Sequence, residues 1–462
     1  MTAAEVKEKF FAEKKNGGLT MSCQELAAVD AFCEGYKAFL DAAKTEDEAV
    51  VTLIDMAEKK GFVPFVPGTK YVAGDKVYLN NRGKALIMAV IGEAPLTEGV
   101  NLMASHIDSP RIDLKQNPLY ESCEMALFKT HYYGGIKKYQ WAAMPLSLHG
   151  TIVRADMSTV KVSIGEDEND PVFVITDLLP HLAADQMKRS AGEIIKGEEL
   201  NILIGSRPFR DDEASEKIKL NIAAILMEKY NITEADFLSA ELEIVPAYKA
   251  KDVGFDRSLV GAYGQDDRVC AYTSAMALFD MTAAPAKTTI ALMADKEEVG
   301  SIGATGMKGA FFKYFIEDLA DAHGIKGHRV LSASKCLSAD VSAAVDATFP
   351  EVHESMNAPY VNHGTCIMKF TGSRGKGGSN DATAQFMGEI RKLLDDNGVL
   401  WQTAELGKVD QGGGGTVAAF ISELDVDTVD IGVPVLSMHA PFEVTSKIDV
   451  YSTYKAFSAF SK

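Results

Sequence analysis

Hydrophobic positions in the first sixty residues recur at helical spacing. Residues 23–44 carry apolar side chains three and four positions apart, and residues 45–61 begin with a threonine and acidic residues and end at a glycine. Both segments are therefore predicted to be helices. Strand-like runs follow at 76–81, 84–92 and 100–108. The last two runs are almost continuously apolar, which is typical of strands covered by helices on both faces of a sheet.

The pattern changes after Pro110. From residue 111 to residue 244, short β-like runs such as 151–165 and 171–176 are mixed with aromatic and charged loops. We therefore predict that residues 111–244 form an inserted β-rich domain.

Runs typical of buried strands return in the last part of the chain. They lie at 288–295, 328–334 and 431–439. Helical patterns separate them, at 268–281 and 382–398. Strands that alternate with helices are typical of an α/β domain with a largely parallel sheet. The sequence predicts one such domain, built from residues 1–110 and 245–462 and split by the insertion.

Composition and charge restrict the possible partners. The 462 residues are 47% hydrophobic and 24% charged, as in an ordinary globular protein, and no apolar run approaches the ~18 residues of a membrane span. The N-terminus lacks the pattern of a secretory signal, and the six cysteines are scattered without C-x-x-C spacing, so we predict reduced thiols and a cytoplasmic location. A net charge of −18 argues against nucleic acid or an anionic membrane as the main partner.

Histidines and acidic residues follow several of the buried strand runs. In open α/β sheets, ligands bind beyond the carboxyl ends of the strands, where the loops converge. A set of imidazoles and carboxylates from separate strand ends therefore predicts one metal site. Its members are His106, Asp108, Asp266, Asp267, Glu297, Glu298, Asp340 and His439.

The residue types fit a pair of zinc ions. Zinc binds imidazole nitrogen and carboxylate oxygen, and two ions ~3.5–4 Å apart can hold both a nucleophile and a substrate oxygen. Such a pair needs one carboxylate that bridges the two ions. We predict Asp266 as the bridge, with His106 and Asp340 on one ion and Glu298 and His439 on the other.

Two further carboxylates receive roles beside the ions. Residues two apart on a strand face the same way, so Asp108 is expected behind His106, where it can accept the imidazole N–H. Side chains of adjacent extended residues diverge, so Glu297 and Glu298 are not expected to bind one ion together. We predict Glu298 as the ligand and Glu297 as the general base, which takes a proton from water and delivers it to a leaving amine. The reaction class is hydrolysis of an amide.

Five motifs also resemble a known family. They are ASHIDSP (104–110), GQDDRV (264–269), DKEEVGS (295–301), LSADV (337–341) and VLSMHAP (435–441). In this order they are similar to the aspartyl aminopeptidase family of dinuclear metallopeptidases, and the glutamyl aminopeptidase-like tetrahedral enzymes share most of the plan. The resemblance implies a three-layer α/β/α peptidase domain, an inserted dimerisation domain, two Zn²⁺ or Co²⁺ ions, and dimers assembled into a tetrahedral dodecamer. It implies the same residue roles.

The sequence departs from the family pattern at two places that bear on specificity. Relatives specific for aspartate usually carry histidine where this chain has Ala343, and residues 129–141 of the insertion differ from the expected pattern. The preferred N-terminal residue is therefore left open. Lys369 is a candidate cation for an acidic substrate, and His131 and His181 are candidates for reaching a neighbouring subunit's active site.

Each element alone has a plain structural interpretation. His106 and Asp108 alone would form a core hydrogen bond, Asp266 a helix cap, and the two glutamates a solvated surface pair. Together they favour a metal site. We predict a dinuclear metal-dependent aminopeptidase that acts on peptides with a free N-terminus. The alternatives are a deacylase or carboxypeptidase on the same dinuclear plan, or a non-catalytic scaffold stabilised by metal.

Overall fold

The computed structural model describes residues 1–12, 15–211 and 213–462. The two helices predicted near the start of the chain are confirmed, and each begins with a capping box, at Ser22–Glu25 and at Thr45–Glu48. The α-helices of the described residues are α1 (Ala3–Phe10), α2 (Gly17–Thr20), α3 (Cys23–Ala42), α4 (Glu46–Lys59), α5 (Lys217–Tyr230), α6 (Gln265–Phe279), α7 (Phe311–Asp321), α8 (Gly327–Leu331), α9 (Ala384–Asp396), α10 (Ala418–Ser422) and α11 (Lys447–Phe460).

The largest sheet has nine strands. They are β1 (Val63–Pro64), β2 (Lys76–Asn81), β3 (Ala85–Val90), β4 (Asn101–His106), β14 (Thr289–Ala294), β15 (Lys335–Ala339), β17 (Thr365–Met368), β18 (Trp401–Thr403) and β19 (Asp427–Gly432). Their order is β1-β2-β3-β14-β4-β15-β19-β17-β18. The four strands at the centre, from β14 to β19, run parallel to one another. β3 pairs antiparallel with β2 and β14, and β17 pairs antiparallel with β19 but parallel with β18. The predicted parallel sheet is therefore confirmed at its centre and is mixed at its sides.

Helices cover both faces of this sheet. Successive residues of β3 point to opposite faces: Leu86 and Met88 belong to one hydrophobic cluster, and Ile87 and Ala89 belong to another. The first cluster contains residues of α3, α4, α6, α9 and α11, and the second contains residues of α7, α8 and α10. The predicted three-layer α/β/α arrangement is confirmed.

A second, antiparallel sheet of seven strands is built from the middle of the chain. Its strands are β5 (Arg111–Ser122), β6 (Met125–Tyr133), β7 (Leu146–Val153), β8 (Thr159–Ile164), β9 (Val174–Ile175), β10 (Ile202–Gly205) and β11 (Ala240–Pro246). It has a hydrophobic cluster of its own, which includes the fully buried Trp141. The sheet begins at Arg111 and ends at Pro246, close to the predicted limits of the insertion; those limits stay a prediction.

A third, small sheet was not predicted. It has five strands, in the order β12-β13-β21-β20-β16. The strands are β12 (Lys251–Val253), β13 (Leu259–Ala262), β16 (Ser342–Ala343), β20 (Pro434–Leu436) and β21 (Glu443–Ser446). Its short strands border the segments that carry Asp266, Asp340 and His439, so this sheet supports one side of the predicted metal site.

One predicted strand is wrong. Residues 328–334 do not form a buried strand, because α8 ends at Leu331 and β15 begins only at Lys335. In α8, Val330 and Leu331 are buried whereas His328 and Arg329 are exposed. A run this short has the same apolar residues in a helical turn and in a strand, so periodicity does not separate the two.

Within the three described stretches of the chain, no helix combines the length and the apolar character needed to cross a membrane.

Candidate metal centre

Three neighbouring strands bring predicted ligands to one edge of the large sheet. β4 ends at His106, β14 is followed by Glu297 and Glu298, and β15 is followed by Asp340. These strands are parallel and in register, with Ala294 opposite His106. Their carboxyl ends therefore open at the same place, as the sequence pattern predicts.

Asp266 and His439 reach this edge from the small sheet. Asp266 lies between β13 and α6, and its backbone is extended (φ −83°, ψ 109°) although it belongs to the first turn of the helix. The regular part of α6 begins only after Asp267, which is also non-helical, and both carboxylate oxygens of Asp266 lie beside imidazoles. His439 follows β20 and is half-buried.

The Asp266 carboxylate lies between two imidazoles. Its Oδ1 is 3.2 Å from Nε2 of His106, and its Oδ2 is 3.2 Å from Nε2 of His439. Asp340 Oδ1 is 3.9 Å from the same nitrogen of His106, and Glu298 Oε1 is 3.5 Å from that of His439. The side chains thus form two groups of three donors that share Asp266.

The donor atoms in each group lie within 4.8 Å of one another. His106, Asp266 and Asp340 make one group, and Asp266, Glu298 and His439 make the other. A third combination, His106 with Glu297 and Glu298, meets the same distance. Glu297 therefore lies within a side-chain length of the ligand candidates without belonging to the two groups that share Asp266.

The electrostatics of the cluster call for added positive charge. Burial raises the pKa of Glu298, and the nearby Asp266 carboxylate raises it further; burial and Asp267 raise the pKa of Asp340. Burial would lower the pKa of His439, but its hydrogen bond with Asp266 and the charge of Glu298 raise it to about 10. Neighbouring carboxylates in a buried site repel one another unless a cation compensates them.

The donor set fits zinc. Glu298 Oε1 is buried and takes part in no hydrogen bond within the described residues. An unsatisfied buried carboxylate oxygen that faces an imidazole nitrogen is suited to a metal ion held between the two groups. Imidazole nitrogens and carboxylate oxygens are the ligands that zinc accepts in catalytic sites.

Asp108 lies behind His106, where the sequence places it. Its carboxylate Oδ1 is 3.3 Å from Nδ1 of His106, but its backbone carbonyl is nearer to that nitrogen, at 3.0 Å. The carboxylate also accepts the backbone N–H of Glu297 at 3.1 Å and of Glu298 at 3.2 Å. Asp108 therefore fixes the turn that carries both glutamates, in addition to orienting the imidazole.

Sequence reasoning missed Glu443. Its side chain is 1% exposed and accepts the backbone N–H of His439 at 2.8 Å and of Asp266 at 3.1 Å. Burial and the charge of Asp266 raise its pKa to about 8. An acid four residues after His439 was the only available signal, and it did not stand out in a strand-like run.

The insertion also contributes contacts that the sequence does not indicate. Tyr133 donates its hydroxyl to Oδ2 of Asp108 at 2.8 Å, and the carbonyl of Gly135 lies 2.9 Å from Nδ1 of His439. Both residues belong to the segment that departs from the family pattern.

The candidates for substrate binding lie elsewhere within the chain. Lys369 forms an ion pair with Asp381 and is not among the cavity-lining residues. His131 and His181 are exposed on the insertion, and neither lines the cavity. A role for these histidines in a neighbouring subunit's site, and a role for Lys369 with substrate, stay predictions.

The cluster opens into a cavity of about 490 Å³. One wall is the backbone of Gly413, Gly414 and Gly415, in the glycine-rich run before Thr416. Apolar side chains, hydroxyl groups and one ammonium group line other parts of it: Val341, Met368, Leu406, Phe420, Met438, Ser301, Ser342, Thr371, Thr416 and Lys308. The volume is within the range of small-molecule sites.

Comparisons with known proteins identify relatives among the zinc aminopeptidases. A family model described as aminopeptidase I zinc metalloprotease (M18) matches residues 39–461. A probable M18 family aminopeptidase 1 from Clostridium acetobutylicum is 52% identical over 456 residues, which cover 97% of this chain and 98% of the relative. The crystal structure of an M18-family aminopeptidase from Thermotoga maritima aligns with a TM-score of 0.93 and 43% identity, over 98% of this chain and 100% of that chain.

A more distant structure shares the fold. The S. cerevisiae mApe1 dodecamer aligns with a TM-score of 0.75 at 20% identity, over 93% of this chain and 96% of that chain. At this identity the likeness concerns the fold alone.

Proposed function

The chain belongs to the M18 family of aminopeptidase I zinc metalloproteases, and we propose that its catalytic centre is the cluster of histidines and carboxylates described above. The protein is a zinc aminopeptidase, a hydrolase that acts on peptide bonds at the N-terminus. The observation that carries the assignment of the centre is the Asp266 carboxylate, whose two oxygens each lie 3.2 Å from a different imidazole.

The cluster is suited to two ions per subunit. Asp266 would be the shared ligand; His106 and Asp340 would complete one donor set, and Glu298 and His439 would complete the other. Three protein ligands for each ion is the number that leaves a catalytic zinc a position for water or substrate. Zinc is the ion of the family, and Co²⁺ accepts the same nitrogen and oxygen donors. When bound, the ions supply Lewis-acid polarisation and make water more acidic.

Glu297 is the general base. It takes a proton from the water that attacks the scissile carbonyl and passes that proton to the amine of the departing peptide, so that each turnover restores the carboxylate. Burial raises the pKa of Glu297, and this suits a group that must both accept and release a proton. Its position depends on Asp108, which accepts the backbone N–H of Glu297.

The substrate is a peptide with a free N-terminus, and its first side chain is accommodated in the part of the cavity beyond the cluster. A deacylase or carboxypeptidase on the same plan would not require the free amine. Comparing a peptide with its N-acetylated form tests this point, because an aminopeptidase should leave the blocked peptide intact. Equal cleavage of both peptides would contradict the proposal.

We also propose that the protein forms a homo-oligomer, with dimers assembled into a tetrahedral dodecamer. The M18-like fold is shared with the mApe1 dodecamer, and the insertion exposes apolar side chains of the kind that oligomer contacts bury, including Leu182 at 69% and Met187 at 67%. A cytoplasmic location agrees with free cysteines, of which Cys33, Cys270, Cys336 and Cys366 are buried.

The number of bound ions tests the bridging arrangement. Equilibrium dialysis against zinc, followed by elemental analysis, should give two ions per subunit in the natural protein. Asp340→Asn and Glu298→Gln should each retain about one, because each lies in only one of the two donor groups that share Asp266. Asp266→Asn should weaken both sites together. The bridge assignment is wrong if Asp266→Asn retains one tight ion as the other two variants do.

A further inference from the structure

The chain returns to the metal centre through the insertion. β5 begins at Arg111, three residues after Asp108, and pairs antiparallel with β6 so that Arg111 lies opposite Tyr133. β6 ends at Tyr133. The chain then runs across the cluster, and we call residues 133–135 the 133–135 segment.

Tyr133 supports Asp108. Its hydroxyl donates to Asp108 Oδ2 at 2.8 Å, and the guanidinium of Arg111 lies over its ring at 4.0 Å. Asp108 in turn accepts the backbone N–H groups of Glu297 and Glu298. A hydrogen bond to a buried carboxylate restricts where that carboxylate can lie, so Tyr133 limits the position of the turn that carries both glutamates.

Gly135 sets the tautomer of His439. A carbonyl oxygen only accepts hydrogen bonds, so the 2.9 Å contact from Nδ1 of His439 to the Gly135 carbonyl requires a proton on Nδ1. Nε2 of the neutral ring then carries the lone pair that can bind a metal ion, and it faces Asp266 and Glu298. An imidazole that binds metal through one nitrogen usually has its other N–H held in this way.

Gly134 leaves the space that Glu298 occupies. Its φ is +73°, a region that L side chains rarely adopt. A Cβ at this position would lie 3.2 Å from Cβ of Glu298, 3.3 Å from its Oε2 and 3.4 Å from Cα of Pro110. Any side chain at this position would press against the side chain of Glu298.

We infer that the 133–135 segment of the insertion is a positioning element of the metal centre. Tyr133 holds Asp108 by a hydrogen bond, Gly135 fixes the tautomer of His439, and Gly134 leaves room for Glu298. The inference rests on the proposed assignment of Glu298 and His439 as metal ligands. It makes the insertion a structural part of the catalytic centre within one chain, in addition to any role in assembly.

Zinc affinity, measured by competition with a chromophoric chelator, tests the inference without relying on turnover. Tyr133→Phe removes one hydroxyl, and the neighbouring Tyr132→Phe, whose ring is 40% exposed, is its control. Gly134→Ala adds one methyl group. Its control is Gly324→Ala, because Gly324 has nearly the same φ (+71°) and a Cβ there would have no atom within 4 Å. The two glycine variants share the backbone cost, and only one of them crowds a proposed ligand.

We expect Tyr133→Phe and Gly134→Ala each to weaken zinc binding by about 10–100-fold, the usual effect of losing a group that orients a ligand, while both controls bind as the natural protein does. Unchanged affinity in both variants, or an equal loss in the controls, would overturn the inference. If Gly134→Ala does not fold, the pair of tyrosine variants decides alone.

The variant His439→Ala tests the proposed metal centre separately from the positioning role of the 133–135 segment. If it binds zinc normally, the proposed metal centre itself is wrong. If it loses zinc while Tyr133→Phe and Gly134→Ala do not, the centre stands and the positioning role is overturned.

Discussion

Replacing Glu297 with glutamine should stop catalysis and leave the metal ions in place. Glutamine has the same shape as glutamate but does not accept a proton at neutral pH. The Glu297 contact with Asp108 uses the backbone N–H, which the substitution keeps. The side chain also lies outside the two donor groups that share Asp266. The variant therefore removes the base and leaves both donor groups unchanged.

The size of the loss follows from what remains in the cluster. General-base catalysis contributes about 10²–10⁴-fold, or about 2.7–5.4 kcal/mol of barrier at 1.36 kcal/mol per tenfold. We expect the upper end of that range. In the proposed centre, Asp266, Asp340 and Glu298 serve as metal ligands, and Asp108 already accepts hydrogen bonds from Tyr133 and from two backbone N–H groups. No other carboxylate among the cavity-lining residues of the described chain is free to take over.

The assay compares kcat for an aminoacyl reporter substrate at saturating zinc with the zinc content of the same sample. The natural protein and Glu297→Gln should hold the same number of ions, and kcat should fall by about 10⁴-fold. Glu298→Gln, one residue away, is the matched control and should lose metal. A Glu297→Gln variant that keeps more than a tenth of the natural kcat with its metal intact would refute the base assignment.

Three further predictions concern the junction with the insertion and the cavity wall. His149 lies 2.6 Å from Glu48 and 3.1 Å from Glu166. Burial would lower the pKa of His149, but these two carboxylates raise it. The stabilisation from the imidazolium charge is therefore fully present below pH ~6.5 and is lost as the pH rises through the raised pKa. Urea midpoints of the natural protein should therefore fall with rising pH, and His149→Gln should flatten that dependence. Glu166→Ala should cost about 3–5 kcal/mol in urea unfolding, because it removes the carboxylate partner of the buried Lys44 and one of the two carboxylates beside His149. Lys44→Met should cost clearly less, because Glu166 retains other donors, and equal losses would contradict this. Lys308→Met should lower the ratio of kcat/KM for substrates with an acidic first residue to kcat/KM for neutral ones by up to roughly fivefold, because an exposed ion pair contributes about 1 kcal/mol. If this ratio does not change, Lys308 takes no part in substrate recognition.

The candidate ligands can be brought together from sequence alone because the carboxyl ends of parallel strands open at one edge of a sheet. His106, Glu298 and Asp340 each follow an apolar run that becomes a central strand. Parallel strands place such positions at one edge whatever their separation along the chain. The small sheet could not be predicted in the same way, because its strands are two to four residues long and carry no clear periodicity.

The groups that support the ligands leave a weaker mark in the sequence. Glu443 acts by accepting backbone N–H groups, and Gly135 acts by offering a carbonyl, which every residue possesses. Only Gly134 has a local signal, because its φ of +73° favours glycine, and a glycine pair in a loop is too common to indicate a metal centre. Contacts of this kind depend on where two distant segments meet in the folded chain.

The predicted insertion joins the rest of the chain next to two of the proposed metal ligands. The chain leaves for the insertion two residues after Asp108, and it returns through β13, which ends four residues before Asp266. A tilt of the insertion would therefore move the segments that carry His106 and Asp266. Buried charges oppose such a tilt, because Arg111 of the insertion is held 3.1 Å from Glu46, which is also 2.9 Å from Lys84. Separating the two parts would leave these charges without partners, and that costs several kcal/mol. The geometry of the metal ligands is thus tied to the packing of a sheet whose residues supply none of them.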